Sequence, residues 1–151
     1  MPDLALRHAP LAALDPVTLY RLLQLRQDVF LVEQKVTDPD LDGRELEPTT
    51  TLMWLETADG DPVAHVRLLR EADGSARIGR VAVRADHRRG GHGRRLMLAA
   101  LERAGEIAPG AEVHIDAQAH LEHWYGAMGF ETVSGLFLEA GIEHVAMVRR
   151  A

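Results

Sequence analysis

The chain has 151 residues, of which 46% are hydrophobic and 26% are charged, and its formal net charge is -6 with histidine neutral. This length suits a single domain with a hydrophobic core of its own, which we place over residues 1–151. The absence of cysteine excludes disulfides, Cys-ligated metal sites and a cysteine acyl-enzyme, and the negative charge argues against nucleic acid as the partner.

Nothing in the sequence predicts entry into a membrane or a secretory pathway. The N-terminal residues lack the basic segment and long apolar run of a signal peptide. No apolar stretch approaches the length that spans a bilayer. We therefore expect a cytoplasmic protein without a membrane partner.

The first half of the chain is predicted to contain one helix and three or four strands. Asp15 can cap a helix and Pro16 suits its first turn, so a helix should begin there and run to about Glu33. A short strand at 4–8 can precede it. Residues 37–50 are rich in Asp, Pro and Gly and predict a loop. Turns then separate three extended segments, at 51–56, at 62–70 and around Ile78, Val81 and Val83.

The second half alternates helices and strands. Helical spacing after Gly93 predicts a helix that stops at Pro109-Gly110, and alternation over 113–117 predicts a strand. A short helix over 121–128 and a closing hairpin of 130–138 with 142–149 complete the chain. This order predicts an α/β (α+β) fold with a largely antiparallel sheet and parallel pairing at the central crossover.

The most informative segment lies between the third of these strands and the helix that follows it, and it reads Arg88-Arg89-Gly90-Gly91-His92-Gly93. Glycine lets the backbone approach a ligand closely, and a helix start presents unpaired N–H groups and partial positive charge. The segment therefore indicates a pyrophosphate site, with Arg94 adding positive charge. Two alternatives stay open: a surface loop with no ligand, and a basic patch that contacts RNA.

Two motifs in this order resemble the GNAT N-acetyltransferase superfamily. Arg88-x-x-Gly91-x-Gly93 is similar to its acyl-CoA loop, and Tyr125-x-x-x-Gly129-Phe130 resembles its aromatic motif near the thioester sulfur. Four further segments resemble the ElaA-like branch: Leu25-Arg26-x-x-Val29-Phe30-x-x-Glu33-Gln34, Asp40-Leu41-Asp42-Gly43, Ala117-Gln118-Ala119-His120-Leu121 and Gly141-Ile142-x-His144. The resemblance implies a GNAT-type mixed, mostly antiparallel twisted sheet of six to seven strands flanked by about four helices.

The same resemblance implies an N-acetyltransferase that moves an acetyl group from acetyl-CoA to an amine by direct attack, with no metal. Tyr125 is then the candidate general acid, because a phenol is neutral at pH 7. Its place on an apolar stripe leaves a core tyrosine as the alternative. Backbone N–H groups of 89–94 would hold the pyrophosphate, and the implied cofactor-binding set is Val81, Ala82, Val83, Arg88, Arg89, Gly90, Gly91, His92, Gly93 and Arg94.

Arg26 and Glu33 are candidates for the acceptor side of the site. At about 100° per residue, both fall on or beside the apolar face of the first helix. Charges there are costly unless paired or functional, so they either form a structural ion pair with each other or with the sheet, or face the acceptor. Glu33 would then serve as a base. Gln34, Gln118 and His144 complete the set of candidate substrate-binding residues.

Several choices stay open at this point. An acyl-homoserine-lactone-type synthase and a non-catalytic acyl-CoA-binding sensor are alternatives to the N-acetyltransferase. The acceptor is a small molecule or a protein amine, and the protein is a monomer or a homodimer. The acidic segment 38–43 opens like a calcium loop but lacks the glutamate at its twelfth position, and it predicts a plain solvated turn.

Overall fold

The computed structural model describes residues 3–150, and its framework is an eight-stranded sheet with helices on both faces. In chain order the elements are β1 (Ala5–Ala9), α1 (Pro16–Arg26), β2 (Thr51–Glu56), β3 (Pro62–Arg70), β4 (Ala76–Val83), α2 (His92–Ile107), β5 (Val113–Gln118), α3 (Glu122–Gly126), β6 (Glu131–Thr132), β7 (Phe137–Glu139) and β8 (Ile142–Arg149). Except for the strand expected at 130–138, the predicted strands, the start of α1 and the crossover helix are therefore present within one or two residues of their expected bounds.

The first helix begins as predicted and then changes type. The Asp15 carboxylate accepts a hydrogen bond from the Thr18 N–H at 2.9 Å, which caps the helix. After Arg26 the chain continues as a π-helix over Gln27–Glu33, where the Gln34 N–H donates to the Val29 carbonyl at 3.0 Å, five residues back. The wider π turn rotates Glu33 away from Arg26, so the placement of both side chains on one face of a regular α-helix is wrong.

All neighbouring strands pair antiparallel except β4 and β5. The sheet order is β1-β2-β3-β4-β5-β8-β6, and β7 also pairs with β8. The predicted strand at 130–138 is divided into β6 and β7, which pair with different parts of β8. The described residues therefore form eight strands and three α-helices, where the resemblance implied six to seven strands and about four helices.

The parallel pair at the centre of the sheet is short. β4 and β5 are in register only at Ala76↔Val113 and Arg77↔His114. Both strands continue beyond these pairs, β4 to Val83 and β5 to Gln118. Among the described residues, the edge of β4 from Ile78 onward therefore has no strand partner on the β5 side, and the two strands diverge.

The pairing of β3 with β4 contains a bulge. His65 lies opposite Ala82 and Arg67 lies opposite Gly79, so Arg80 and Val81 together face a single residue of β3. Arg80 adopts a left-handed conformation with φ of 51°. A bulge of this kind reorients the peptide groups at one place in a strand.

The alternation of side chains divides the core between the two faces of the sheet. Met53 and Leu55 of β2 pack on the face covered by α2, with Leu96, Met97 and Ala100. Leu52 and Trp54 pack on the opposite face with Leu22 of α1. The sheet is thus held between α1 on one side and α2 on the other, and the gap between β4 and β5 is left open at its edge.

Candidate functional site

A cleft of about 1310 Å³ opens where β4 and β5 diverge. Its walls come from the π-helical segment, the loop after it, the start of α2 and the α3 region. Gly79 of β4 lies at its surface, and a Cβ built there would meet no atom within 4 Å. The cleft is large enough for an extended ligand together with a second reactant.

The start of α2 closes one end of this cleft. Gly91 caps the helix with φ of 77°, and the Arg95 N–H makes a helical bond to the Gly91 carbonyl at 3.0 Å. The N–H groups of His92, Gly93 and Arg94 precede that bond and have no acceptor within the helix. They form the positive end of a sixteen-residue helix, which suits an anion such as a pyrophosphate.

Gly93 allows this helix start to lie close to β4. A Cβ at Gly93 would come within 3.4 Å of a Val83 methyl group and 3.7 Å of the Trp124 ring. The space around Gly93 is therefore already filled by the strand and by α3. A larger residue would push the helix start away from the strand edge that leads into the cleft.

An ion pair joins the Gly-rich loop to the π-helical segment. The Arg88 guanidinium donates to both carboxylate oxygens of Glu33, one of them at 2.7 Å, and its Nε donates to the Val83 carbonyl at 3.0 Å. These hydrogen bonds from Arg88 lower the pKa of Glu33. In this arrangement Glu33 is a weak base, since a carboxylate stabilised by a cation holds a proton less well.

Tyr125 lines the cleft from α3 and is otherwise buried. Its ring makes edge contacts with Trp124 at a centroid distance of 4.8 Å and with Phe130 at 6.1 Å. Burial raises the pKa of Tyr125 to about 12, so its phenol is neutral and protonated at physiological pH. It packs as a core residue and also borders the cleft, and its role as a general acid stays a prediction.

Arg26 is fully buried and is held by the loop after the π-helix. Its Nε donates to Asp40 at 2.9 Å and its Nη1 donates to Glu45 at 2.7 Å. Arg67 of β3 donates to Asp42 at 2.8 Å and to Glu45 at 3.1 Å. Arg26 therefore pairs with loop carboxylates and not with Glu33 or the sheet, and binding an acceptor directly would require these bonds to open.

Arg80 at the bulge of β4 completes this network. Its Nε lies 2.8 Å from the Asp40 carboxylate, and its Nη2 donates to the Asp40 carbonyl at 2.9 Å. The acidic segment is thus engaged by arginines from α1, β3 and β4. The prediction of a plain solvated turn for residues 38–43 is wrong, because the buried guanidinium groups require carboxylate partners.

Gln34, Gln118 and His144 meet on the far wall of the cleft. Gln118 Nε2 donates to Gln34 Oε1 at 3.3 Å, although the residues are 84 positions apart. His144 pairs in register with Gln118, its Nδ1 lies 2.7 Å from the Ile142 carbonyl, and its Nε2 lies 3.4 Å from Glu139. Three predicted substrate-binding residues therefore form one polar surface.

The cleft is lined by every predicted site residue except two. The Ala82 side chain is buried against Leu25 and Val29, so only its backbone is close to the open edge of β4. Gly90 lies on the exposed outer side of its loop. Their assignment as cofactor-binding residues stays a prediction, which for Ala82 can concern only its backbone, because successive side chains of a strand point to opposite faces.

Several residues at the site were not predicted: His65, Arg67, Arg80 and Glu45. The signal available was in β3, where His65 and Arg67 occupy alternate positions in a run of otherwise apolar residues. In a strand with neighbours on both sides, that pattern places two polar groups on one buried face. The carboxylate partners of Arg67 come from a distant loop, and His65 bonds the carbonyl of Arg80, so no local pattern indicates either contact.

Two features are absent from residues 3–150. No group of three histidine, aspartate or glutamate side chains is arranged to hold a metal ion. No helix in the same range combines the length and apolarity needed to cross a membrane.

An open cleft beside a free strand edge and a glycine-capped helix start are the features expected of a protein class that binds a long anionic ligand. A family model described as an acetyltransferase (GNAT) domain matches residues 27–151. A UPF0039 protein of Mycobacterium tuberculosis is 43% identical over 148 residues, which cover 96% of this chain and 92% of that relative.

Solved structures agree with this match. An acyl-CoA N-acyltransferase from Pseudomonas aeruginosa superposes with a TM-score of 0.91 at 38% identity, covering 97% of this chain and 99% of that one. ElaA of Escherichia coli has a TM-score of 0.91 at 34% identity over the same shares. The chain belongs to the GNAT acetyltransferase family and, within it, to the ElaA-like branch. The predictions of family and fold class are confirmed, and the family is one that binds acyl-CoA.

The loop network leads to a prediction about pH. Partial burial alone would raise the pKa of Asp42, but hydrogen bonds from Arg67 and the Arg44 N–H outweigh it and lower that pKa to about 2. In the unfolded chain, an aspartate has a pKa of about 3.9. The stabilisation from Asp42 is therefore complete above about pH 4 and is lost as the pH falls to about 2.

We expect Asp42→Asn to lower the free energy of unfolding at neutral pH, and the difference from wild type to shrink as the pH falls from about 4 to about 2. Denaturant titrations of both proteins across this range measure the difference. Asp38→Asn is the matched control, because Asp38 lies in the same loop and takes no part in the ion pairs of the described residues. A difference that stays constant with pH would contradict the prediction.

Proposed function

We propose that the protein transfers an acetyl group from acetyl-CoA to the amine of a small molecule or of a protein. The observation that carries this proposal is the unpaired edge of β4, which leads from the start of α2 to Tyr125 within one cleft. An elongated thioester needs this order of groups: an anion site, a hydrogen-bonding edge and a proton donor.

The binding of acetyl-CoA is assigned mainly to backbone groups. The N–H groups of His92, Gly93 and Arg94 suit the pyrophosphate, with Arg89 beside them as a flexible positive charge. The free edge of β4 at Val81 and Val83 suits the amide groups of the pantetheine arm, which can pair with it as a further strand would. Few charged side chains are required along that edge.

In the proposed reaction the neutral amine nitrogen attacks the thioester carbonyl carbon. A C–N bond forms, the C–S bond breaks, and the electron pair leaves with sulfur. The Tyr125 phenol donates its proton to that sulfur, and the proton released from the new amide nitrogen passes to a base or to water. Burial keeps the phenol protonated at physiological pH, as a proton donor must be, although the same raised pKa makes it a weaker acid than a thiol.

Glu33 is the candidate base, and its present partner affects how it can act. While Arg88 holds both of its oxygens, the carboxylate is a weak base. A phosphate group at the helix start offers Arg88 a competing anion. Binding of acetyl-CoA would then release Glu33 and restore its basicity on the side where the amine arrives.

The amine itself is expected to enter beside Gln34, Gln118 and His144. Glu139 is half exposed near this surface and adds a negative charge that favours a cationic amine before it loses its proton. The experiment that tests the whole proposal is release of free CoA from acetyl-CoA and from longer acyl-CoAs over a panel of amines. A sensor that only binds acyl-CoA would be stabilised by it without acceptor-dependent release.

The first prediction of the proposed function concerns the anion site. Arg89→Glu should weaken acetyl-CoA binding by about tenfold or more, because a favourable charge beside the pyrophosphate becomes a repulsive one. Isothermal titration and thermal shift with CoA measure the change. Arg70→Glu is the control, since Arg70 is exposed at the end of β3 and away from the cleft. Equal affinities of the two variants would contradict the assignment.

The second prediction concerns the proton donor. Tyr125→Phe should lower kcat by about a hundredfold and leave the dissociation constant of acetyl-CoA unchanged, because only the transfer of a proton is removed. Tyr20→Phe is the control, since Tyr20 is the other tyrosine and is 70% exposed on α1. Full turnover by Tyr125→Phe would remove the phenol from the mechanism.

The third prediction concerns the base. Glu33→Gln should lower kcat by about a hundredfold without weakening acetyl-CoA binding, since the carboxylate competes with the phosphate for Arg88. Glu102→Gln, at an exposed position of α2, controls for the loss of one negative charge. Undiminished turnover with every amine of the panel would show that water or another group accepts the proton.

A further inference from the structure

His65 is a fully buried histidine that the proposed reaction does not use directly. It lies on β3 opposite Ala82, and its Nδ1 is 2.8 Å from the carbonyl oxygen of Arg80. A carbonyl oxygen only accepts hydrogen bonds, so Nδ1 carries the proton and donates it. The imidazole is therefore attached to the peptide group at the bulge of β4.

The other ring nitrogen supports this assignment. His65 Nε2 has no hydrogen-bond partner among residues 3–150. Burial, with the charge of Arg26 as the next contribution, lowers the pKa of His65 to about 3, so the ring stays neutral. Among the described residues, the one hydrogen bond of this neutral ring is therefore the bond to the Arg80 carbonyl.

The bond to His65 determines the direction of the next N–H group. The peptide between Arg80 and Val81 is trans and planar, so the Arg80 carbonyl and the Val81 N–H point in opposite directions. Arg80 and Val81 line the cleft, whereas His65 lies behind them and does not. Because the carbonyl is directed at His65, the Val81 N–H is directed away from it, toward the cleft.

The peptide is constrained on its other side as well. Arg80 holds a left-handed conformation that is uncommon for a residue with a side chain, and its guanidinium is bound to Asp40. The side chain is thus fixed by the loop, while the carbonyl is fixed by His65. Removing either bond gives this peptide freedom to rotate.

We infer that His65 is a positioning residue, which aims the Val81 N–H at the thioester carbonyl oxygen and so stabilises the negative charge that develops there during attack. This inference rests on the proposed function, since it concerns the same thioester. It predicts that the hydrogen bond from His65 affects the polarisation of the bound thioester more than the affinity for acetyl-CoA.

The test uses acetyl-CoA labelled with ¹³C at the thioester carbonyl, bound to the whole protein without an amine. In wild type we expect the carbonyl infrared band at a lower frequency than in solution, because a hydrogen bond weakens the C=O bond. His65→Leu removes the donor and should return the band toward its solution position. His65→Asn places an amide N–H near the position of Nδ1 and should retain the shift.

Turnover should follow the same pattern. His65→Leu should lower kcat by about tenfold or more, with the dissociation constant of acetyl-CoA changed by less than about twofold, and His65→Asn should recover most of that loss. A merely structural role would change affinity and melting temperature together and would not change the carbonyl band. His65→Leu with the wild-type band position and kcat would overturn the inference.

A third variant decides the matter if His65→Leu does not fold. His65→Gln carries the same amide but places it near the position of Nε2. A shifted band in His65→Asn and an unshifted band in His65→Gln support the inference, and equal bands in both overturn it. Absence of acetyl-CoA binding by wild type would instead overturn the proposed function and this inference with it.

Discussion

The divergence of β4 and β5 after two residue pairs is the constraint on which the rest of the site depends. A parallel pair requires a crossover, and here the crossover helix α2 begins beside the end of β4, where the two strands have already separated. The same divergence leaves the edge of β4 unpaired and directs the chain after β5 to the opposite wall, where α3 presents Tyr125. A helix start, a free strand edge and a buried phenol therefore meet because of one interruption in the sheet.

A network of arginines holds the other wall, with Arg26 and Arg67 buried and Arg80 partly exposed. Arg26, Arg67 and Arg80 come from three different elements, and their carboxylate partners all come from the loop at 37–50. Buried ion pairs contribute little to the free energy of unfolding. Losing one partner, however, leaves an uncompensated buried charge, so the network strongly favours one arrangement of the loop and the three arginines. Here it fixes the loop over the cleft and Arg80 at the bulge, while His65 fixes the carbonyl of the same residue.

The two ends of the cleft differ in the groups that line them: backbone groups at one end and side chains at the other. The cofactor end relies on glycines, backbone N–H groups and a strand edge, whose geometry depends little on which side chains surround them. The end proposed for the acceptor is lined instead by the side chains of Gln34, Gln118 and His144, which come from three separate segments. The family accordingly indicates an acyl-CoA cosubstrate and leaves the amine to experiment.

The sequence by itself determined the features that depend on neighbouring residues. The Asp15-Pro16 cap, the alternation in the strands and the Gly91–Gly93 helix start are local signals, and the elements that depend on them begin where they were predicted. The π-helix at Gln27–Glu33 was missed because its residues have the same apolar spacing as an α-helix. The pairing of Arg26 with Asp40 and Glu45, the division of 130–138 into two strands and the bond from His65 to Arg80 were decided only by the tertiary structure. These features join groups that are distant along the chain, or they depend on how the chain packs. Neighbouring residues in the sequence do not specify them.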